Sequence, residues 1–222
     1  MTTLGIAIIG QAPRSDIAAT YARMLGPGTR IVMRGCLDDL DRRNIDEIRP
    51  ESDADALYTR LPDGAEVTIA KRVVTARAAI TLQRLRDDGA DALVFNCTGA
   101  FPPIPGDAGV VFPSRVLAGL AQGLVPAGRI ALLVPLAEQC GPLVAKWQRS
   151  GVEVVAHHLT PTAAPATIAE AANRLRAERP DLVCLDCMGY TEPTRRIVRE
   201  ITGAPTLLAI TTMAAVLREM LP

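Results

Sequence analysis

Cys97 and Cys187 stand in matching surroundings. The stretch "RLRDDGADALVFNCTG" ends at Gly99 and "RLRAERPDLVCLDCMG" ends at Gly189, ninety positions apart without a gap. Residues 80–99 and 170–189 are identical at Arg84/Arg174, Leu85/Leu175, Arg86/Arg176, Asp91/Asp181, Cys97/Cys187 and Gly99/Gly189. Any two helix–loop–strand units share some pattern, which accounts for the leucines and aspartates but poorly for cysteines in register. A thiol on each face of a small molecule is what a cofactor-free racemase or epimerase requires. One thiolate removes the α-proton while the opposed thiol delivers a proton to the other face. Both groups must then titrate near neutrality. The amides of Thr98 and Gly99, or of Met188, Gly189 and Tyr190, stabilise a thiolate if a helix starts there. The same amides can hold a substrate carboxylate as charge develops on it. Glycine two residues after each cysteine lets the backbone approach closely.

The elements that must carry these cysteines alternate short apolar runs with helix-patterned stretches, the signature of a βαβ protein with mostly parallel strands. Strands are predicted at 4–10, 30–35, 66–70, 92–96, 109–113, 129–134, 152–157, 181–186 and 206–210. Helices are predicted at 15–25, 72–88, 114–124, 138–149, 165–178, 191–202 and 211–220, the last behind Thr211 and Thr212 as N-caps. Residues 36–63, rich in Asp and Arg, read as a solvated excursion holding at most one helix. "LGIAIIG" at 4–10 echoes "RIALLVP" at 129–135, and the Pro- and Gly-rich "NCTGAFPPIPGDAG" reads as a crossover. Two α/β lobes follow, one from 1–105 with 209–222 and one from 106–208. Ligands of such sheets bind beyond the carboxyl ends of the strands. Both cysteines lie at that edge.

Composition narrows the partners. Lys plus Arg equals Asp plus Glu, and aromatics are scarce, so neither a basic footprint nor a stacking platform for nucleic acid is expected. No apolar run is long enough for a membrane span, and "MTTLGIAIIGQAPRSD" reads as a first strand, not a signal peptide. Five cysteines without an export signal suggest reduced thiols in a cytoplasm. Cys36, Cys140 and Cys184 read as buried small hydrophobes. A neutral, apolar two-lobed chain is compatible with a homodimer.

Other residues carry weaker signals. Arg14, behind Pro13 at the mouth of the first strand, could grip a carboxylate bidentately or be a surface arginine. Ser114 and Arg115 open a helix after "VVFP", where Ser114 serves as an N-cap or the pair contacts substrate. Thr211 could close the cleft floor, although capping alone would explain it. His157 and His158 point to opposite faces of a strand and make a poor metal pair. The Cys184-x-x-Cys187 spacing has no second pair and lies partly within a strand, so neither zinc nor redox work is expected. No metal or cofactor is expected at all.

"FNCTG" and "LDCMGY", each closing a strand in its own half, resemble the two catalytic cysteine turns of the aspartate/glutamate/hydantoin racemase superfamily. Within it the chain is most similar to the AroM family, through "AIIGQAPRSD", "FPSR" at 112–115, "ALLVPLAEQ" at 131–139, "AKWQ" at 145–148 and "LDCMGYT" at 185–191. The resemblance covers nearly the whole chain. It implies two flavodoxin-like lobes related by pseudo-twofold symmetry, a site in the interlobe cleft, no cofactor, and racemisation, isomerisation or decarboxylation of small carboxylates. It assigns Cys97 and Cys187 as the acid/base pair. Asn96, Thr98 and Gly99 match the first anion-binding turn and Met188, Gly189 and Tyr190 the second. Gln11 to Arg14 match a substrate-contacting loop. Two departures stand out. Gln-Ala-Pro-Arg replaces the Asp-Ser-Gly-type loop of many amino-acid racemases, and Met188-Gly189 replaces the Thr-His that follows the second cysteine in glutamate-type members.

Two functions from different classes follow from these residues: a two-cysteine racemase or isomerase, including a variant in which one cysteine is a covalent nucleophile, and a small-molecule binding protein that keeps the frame without turnover. A binder has no need of a thiol on both faces.

Overall fold

The computed structural model describes residues 1–221. The chain runs β1 (Thr2–Ile8), α1 (Ser15–Leu25), β2 (Thr29–Gly35), α2 (Arg42–Asp46), β3 (Ala56–Arg60), β4 (Glu66–Ala70), α3 (Lys71–Asp87), β5 (Ala92–Phe95), β6 (Val110–Val111) and α4 (Pro113–Leu124). It continues through β7 (Gly128–Val134), α5 (Cys140–Trp147), β8 (Val152–His158), α6 (Pro165–Glu178), β9 (Leu182–Leu185), α7 (Glu192–Thr202), β10 (Thr206–Leu208) and α8 (Ala209–Met220).

Two parallel four-stranded sheets result, in the orders β2-β1-β5-β6 and β10-β9-β7-β8. Read within each sheet, both orders are the same: the first strand lies between the second and the third, and the fourth lies beyond the third. The central strands β1 and β7 are almost continuously buried, as parallel strands covered on both faces must be. The expected α/β class and paired parallel sheets are what the structure shows.

The repeated aspartates have a structural cause. Asp91 Oδ2 accepts from the Thr3 amide and Asp181 Oδ2 from the Arg129 amide, both at 2.8 Å. Each aspartate thus satisfies an edge amide of its lobe's first strand just before the third strand begins. Leu85 and Leu175, one on α3 and one on α6, are both fully buried.

The chain divides into two compact units, Met1–Ser114 with the segment from Met213 onward, and Arg115–Thr212. The sequence placed these junctions at 105/106 and 208/209. The first falls later because β6 pairs with β5 and so stays with the first sheet.

Residues 36–63 differ from the solvated excursion read in the sequence. Cys36, Leu37, Ile45, Ile48, Leu57 and Leu61 are buried in the core of the first lobe, beside Ile69, Val74 and Phe95. β3 pairs antiparallel with β4 as a separate hairpin, so β4 does not join a parallel sheet. The stretch is built from elements of about five residues, too short for apolar periodicity to show through the intervening Asp and Arg.

Helix boundaries follow local chemistry. Asp41 caps α2 through the Asn44 amide, and Thr191 accepts from the Thr194 amide to cap α7. α8 begins at Ala209 straight from β10, so Thr211 and Thr212 lie inside its first turn and do not cap it. Thr211 Oγ1 instead donates to the Leu208 carbonyl at 3.2 Å. Likewise α4 starts at Pro113, which suits a first helical position, and Ser114 is buried in its first turn.

Candidate active site

Each cysteine lies two residues beyond a third strand. β5 ends at Phe95, and the Asn96 amide donates to Ala7 O of β1 at 2.8 Å. β9 ends at Leu185, and the Asp186 amide donates to Leu133 O of β7 at 2.9 Å. These bonds fix the carboxyl edge of each sheet up to the residue before the cysteine. The chain then turns so that the Gly99 amide reaches Cys97 Sγ at 3.3 Å, and the Gly189 amide reaches Cys187 Sγ at 3.4 Å. A backbone N–H aimed at sulfur favours the thiolate over the thiol.

No helix begins at either cysteine. The chain after Cys97 reaches β6 at Val110 with no intervening helix, and α7 starts at Glu192. The thiolate-supporting donor is therefore the amide two residues on within a tight turn. The helix N-terminus inferred from the sequence is not part of it.

Space for a side chain is tight at the first turn and ordinary at the second. A Cβ on Gly99 would stand 3.0 Å from Leu57 Cδ2 and 3.3 Å from Cys97 Sγ, whereas one on Gly189 would stand 3.4 Å from Pro161 and 3.6 Å from Cys187 Sγ. Cys97 is 9% exposed and Cys187 is half-buried.

Behind each turn stands an aromatic donor from the α-helix that follows the first strand of the same sheet, α1 or α5. Tyr21 Oη donates to Asn96 Oδ1 at 2.9 Å, and Trp147 Nε1 donates to Asp186 Oδ2 at 3.2 Å. The sequence reading missed both. Asn96 is 4% exposed, and with Oδ1 engaged by Tyr21 its Nδ2 is buried without a protein hydrogen-bond partner. Asp186 is 1% exposed.

A family model described as "AroM protein" matches residues 4–221. The chain belongs to the AroM family. No curated protein sequence matches it. Solved structures similar to this AroM-family chain include arylmalonate decarboxylase, at 15% identity and a TM-score of 0.64, covering 97% of this chain and 92% of that one. The maleate isomerase Iso from Pseudomonas putida S16 is similar at 13% identity and a TM-score of 0.65, covering 99% and 92%. So is a cysteine-to-serine variant of Nocardia farcinica maleate cis-trans isomerase with a covalently bound succinylcysteine intermediate, at 14% identity and a TM-score of 0.59, covering 99% and 92%. These likenesses establish the two-lobe fold.

The remaining residues singled out in the AroM sequence separate by what they touch. Gln11 Nε2 donates to Leu40 O, and Arg14 is buried, bidentate to Asp16 with Nη1 on Arg60 O. Asp38 accepts from the Ala12 and Gly35 amides, and Arg60 also pairs with Asp16. The loop after β1 is thus braced by charge, and Arg14 is neither a surface residue nor a wholly free guanidinium. Burial opposes the Asp16 charge most strongly. The Arg14 bond and charge, with Arg60 and the Ile17 amide, together outweigh it and hold the carboxyl below its ordinary range.

Thr98 and Met188 are buried within their turns, and Arg115 is exposed on α4. Tyr190 is buried with its hydroxyl donating to Leu159 O at 2.6 Å, which fixes the second turn from behind. Ser114 and Thr211 are buried hydroxyls just past the last strands, β6 and β10, of their respective sheets.

Burial pushes the Cys36 thiol up to about 12 despite Thr81 and Arg77, and pushes Cys184 well above the ordinary range. Both are core cysteines. Cys140, expected to be buried too, opens α5 and is half-exposed. Burial also lowers His157, and His158 is exposed. Among the described residues no group of three or more His, Cys, Asp or Glu is placed to hold a metal ion, and no helix is long and apolar enough to cross a membrane.

Two concavities within the individual lobes lie at the other end of the strands. One of about 490 Å³ in the first lobe is lined by Thr2, Asp91 and Leu217, and one of about 690 Å³ in the second by Gly128, Val152 and Asp181.

Proposed function

We propose that this AroM-family chain is a cofactor-independent enzyme that moves protons at a carbon next to a carboxylate, as a racemase, epimerase or related isomerase. Cys97 and Cys187 act on one substrate, one as thiolate base and the other as thiol acid. The base takes the α-proton, the electron pair is held on the carboxylate as an enediolate, and the acid returns a proton to the opposite face. The observation that carries this reading is the sulfur–amide turn repeated in both lobes, with the same donor position and nearly the same distance. A single buried cysteine needs no such arrangement, and two matched ones have a shared chemical use.

The substrate class rests on the first turn. Asn96 Nδ2 is an unpartnered buried donor, which costs about 1–3 kcal/mol until an acceptor reaches it. A carboxylate oxygen supplies that acceptor, and the turn amides add to the anion-holding set. The named substrates of the similar structures, an arylmalonate and maleate, are small dicarboxylates and support the same class.

One observation favours a second course within this class. The succinylcysteine in the Nocardia farcinica isomerase variant shows that a cysteine on this fold can bond to substrate carbon in that protein. Here the matching step would be thiolate addition to an unsaturated diacid, rotation about the resulting single bond, and expulsion of the same thiolate.

The test is proton NMR of the purified protein in D₂O with amino acids, 2-substituted malonates, hydroxy acids and maleate, beside Cys97→Ser and Cys187→Ser. Solvent exchange at the α-carbon that fails in both variants supports two-base chemistry. Maleate conversion lost in only one supports the covalent course. Ligands that raise the melting temperature without any exchange or conversion would replace the enzyme with a binding protein.

A further inference from the structure

We propose that Tyr21 and Trp147 are positioning residues for the two cysteine turns, each acting through the side chain that precedes its cysteine. The two donors occupy the same place in their lobes. Tyr21 lies thirteen residues after Ile8, the last of β1, and Trp147 thirteen after Val134, the last of β7. Each is buried on the helix that follows that strand. Their acceptors, Asn96 and Asp186, are separated by the same ninety positions as the cysteines.

The coupling follows from covalent geometry. Asn96 and Asp186 have their amides fixed to the neighbouring strands and their side chains fixed to the aromatic donors. A residue held at both ends has little freedom in φ, ψ or χ, so the peptide leading into the cysteine has a set direction. That direction decides whether the next turn brings the Gly99 or Gly189 amide onto sulfur. Releasing the side chain lets the turn relax and weakens that contact. In the first lobe the Tyr21 bond has a further effect. It engages Asn96 Oδ1, so the unpartnered Nδ2 is presented as a donor.

Lys146 and Asp186 both act electrostatically on Cys184 in the second lobe, and Arg77, Asp38 and Cys97 act on Cys36 in the first. Leu133 of β7 and Leu208 of β10 pair with Leu185, the last residue of β9, on either side of the second turn. The props are neutral donors, both buried, and at such sites one hydrogen bond has strong orienting power.

The inference rests on the proposed role of the cysteines, but its test needs no substrate. The full chain, Tyr21→Phe and Trp147→Phe are alkylated with iodoacetamide from pH 6 to 10, and each cysteine is followed by peptide mass spectrometry. Buried Cys36 and Cys184 serve as slow references. In each variant the cysteine of its own lobe changes rate about three- to tenfold and its pH profile moves, while the other cysteine is unchanged. A lower melting temperature with unmoved profiles overturns the proposal, because the aromatic side chain is then only packing. Equal changes at both cysteines in either variant also overturn it. If Trp147→Phe does not fold, Tyr21→Phe decides alone, since it removes only a hydroxyl. Shifted profiles in a protein that turns over nothing would leave the positioning role standing and remove the enzymatic reading.

Discussion

The two cysteine turns share a backbone and differ in nearly everything around it. Both follow the third strand of a sheet, both tie the preceding amide to the first strand, and both aim the amide two residues on at sulfur. Their surroundings then diverge. The residue before Cys97 is a neutral amide and the one before Cys187 is a buried acid. The β3–β4 hairpin places Leu57 against Gly99, whereas Gly189 faces Pro161 of a loop. What is held constant is the geometry that conditions a thiol. What varies is the material that sets charge and shape beside it. The proposed two-base chemistry would need both: equal tools, and a reason for each face to differ.

The comparison breaks most sharply at the sulfurs. Cys97→Ser and Cys187→Ser are each expected to lower turnover by about 10²- to 10⁴-fold, measured as α-proton exchange. A variant that keeps near-normal activity would show that the matched turns are not matched in use. Next is Leu57→Ala, which removes a buried side chain that only the first turn possesses. It should cost about 2–5 kcal/mol by urea denaturation and disturb Cys97 more than Cys187.

Gly99→Ala and Gly189→Ala sharpen the contrast further. The first forces Leu57 to yield and should cost roughly 1–3 kcal/mol. The second meets only ordinary contacts, and its change in stability should stay within about 0.5 kcal/mol. Equal effects would mean that the hairpin does not constrain the first turn.

The smallest effect concerns pH. Asp16 has its folded pKa held below 3.8, so its contribution is present above that value and is lost as pH falls through the depressed one. Asp16→Asn should flatten the acid limb of stability in urea midpoints taken below pH 5. The change is slight because the carboxylate is partly exposed and screened.

Much of this was legible in the residues. The ninety-residue repeat marked both cysteines and both aspartates, and the apolar runs marked the strands, because parallel strands and their crossover helices are long enough for period and punctuation to show. Residues 66–70 were legible as a strand, but their antiparallel partner β3 was not. β3 is five residues long, and only tertiary packing reveals that Leu57 and Thr59 are inside. Tyr21 and Trp147 escaped for another reason. They match in position but not in residue type, so an identity comparison passes over them. Registering the first strands of the two lobes brings them together, and the shared property, a donor on a flat apolar ring, then becomes visible.

One feature of the chain's path bears on how the protein is made. The first lobe is written in two pieces, with all of Arg115–Thr212 between them. A chain emerging from the ribosome therefore presents every residue of the second lobe before the segment from Met213 onward, whose Met213, Ala214 and Leu217 are fully buried. At about 5–20 residues per second the first sheet waits several seconds for that segment. A stall before Met213 leaves the half with Cys187 complete and the half with Cys97 open.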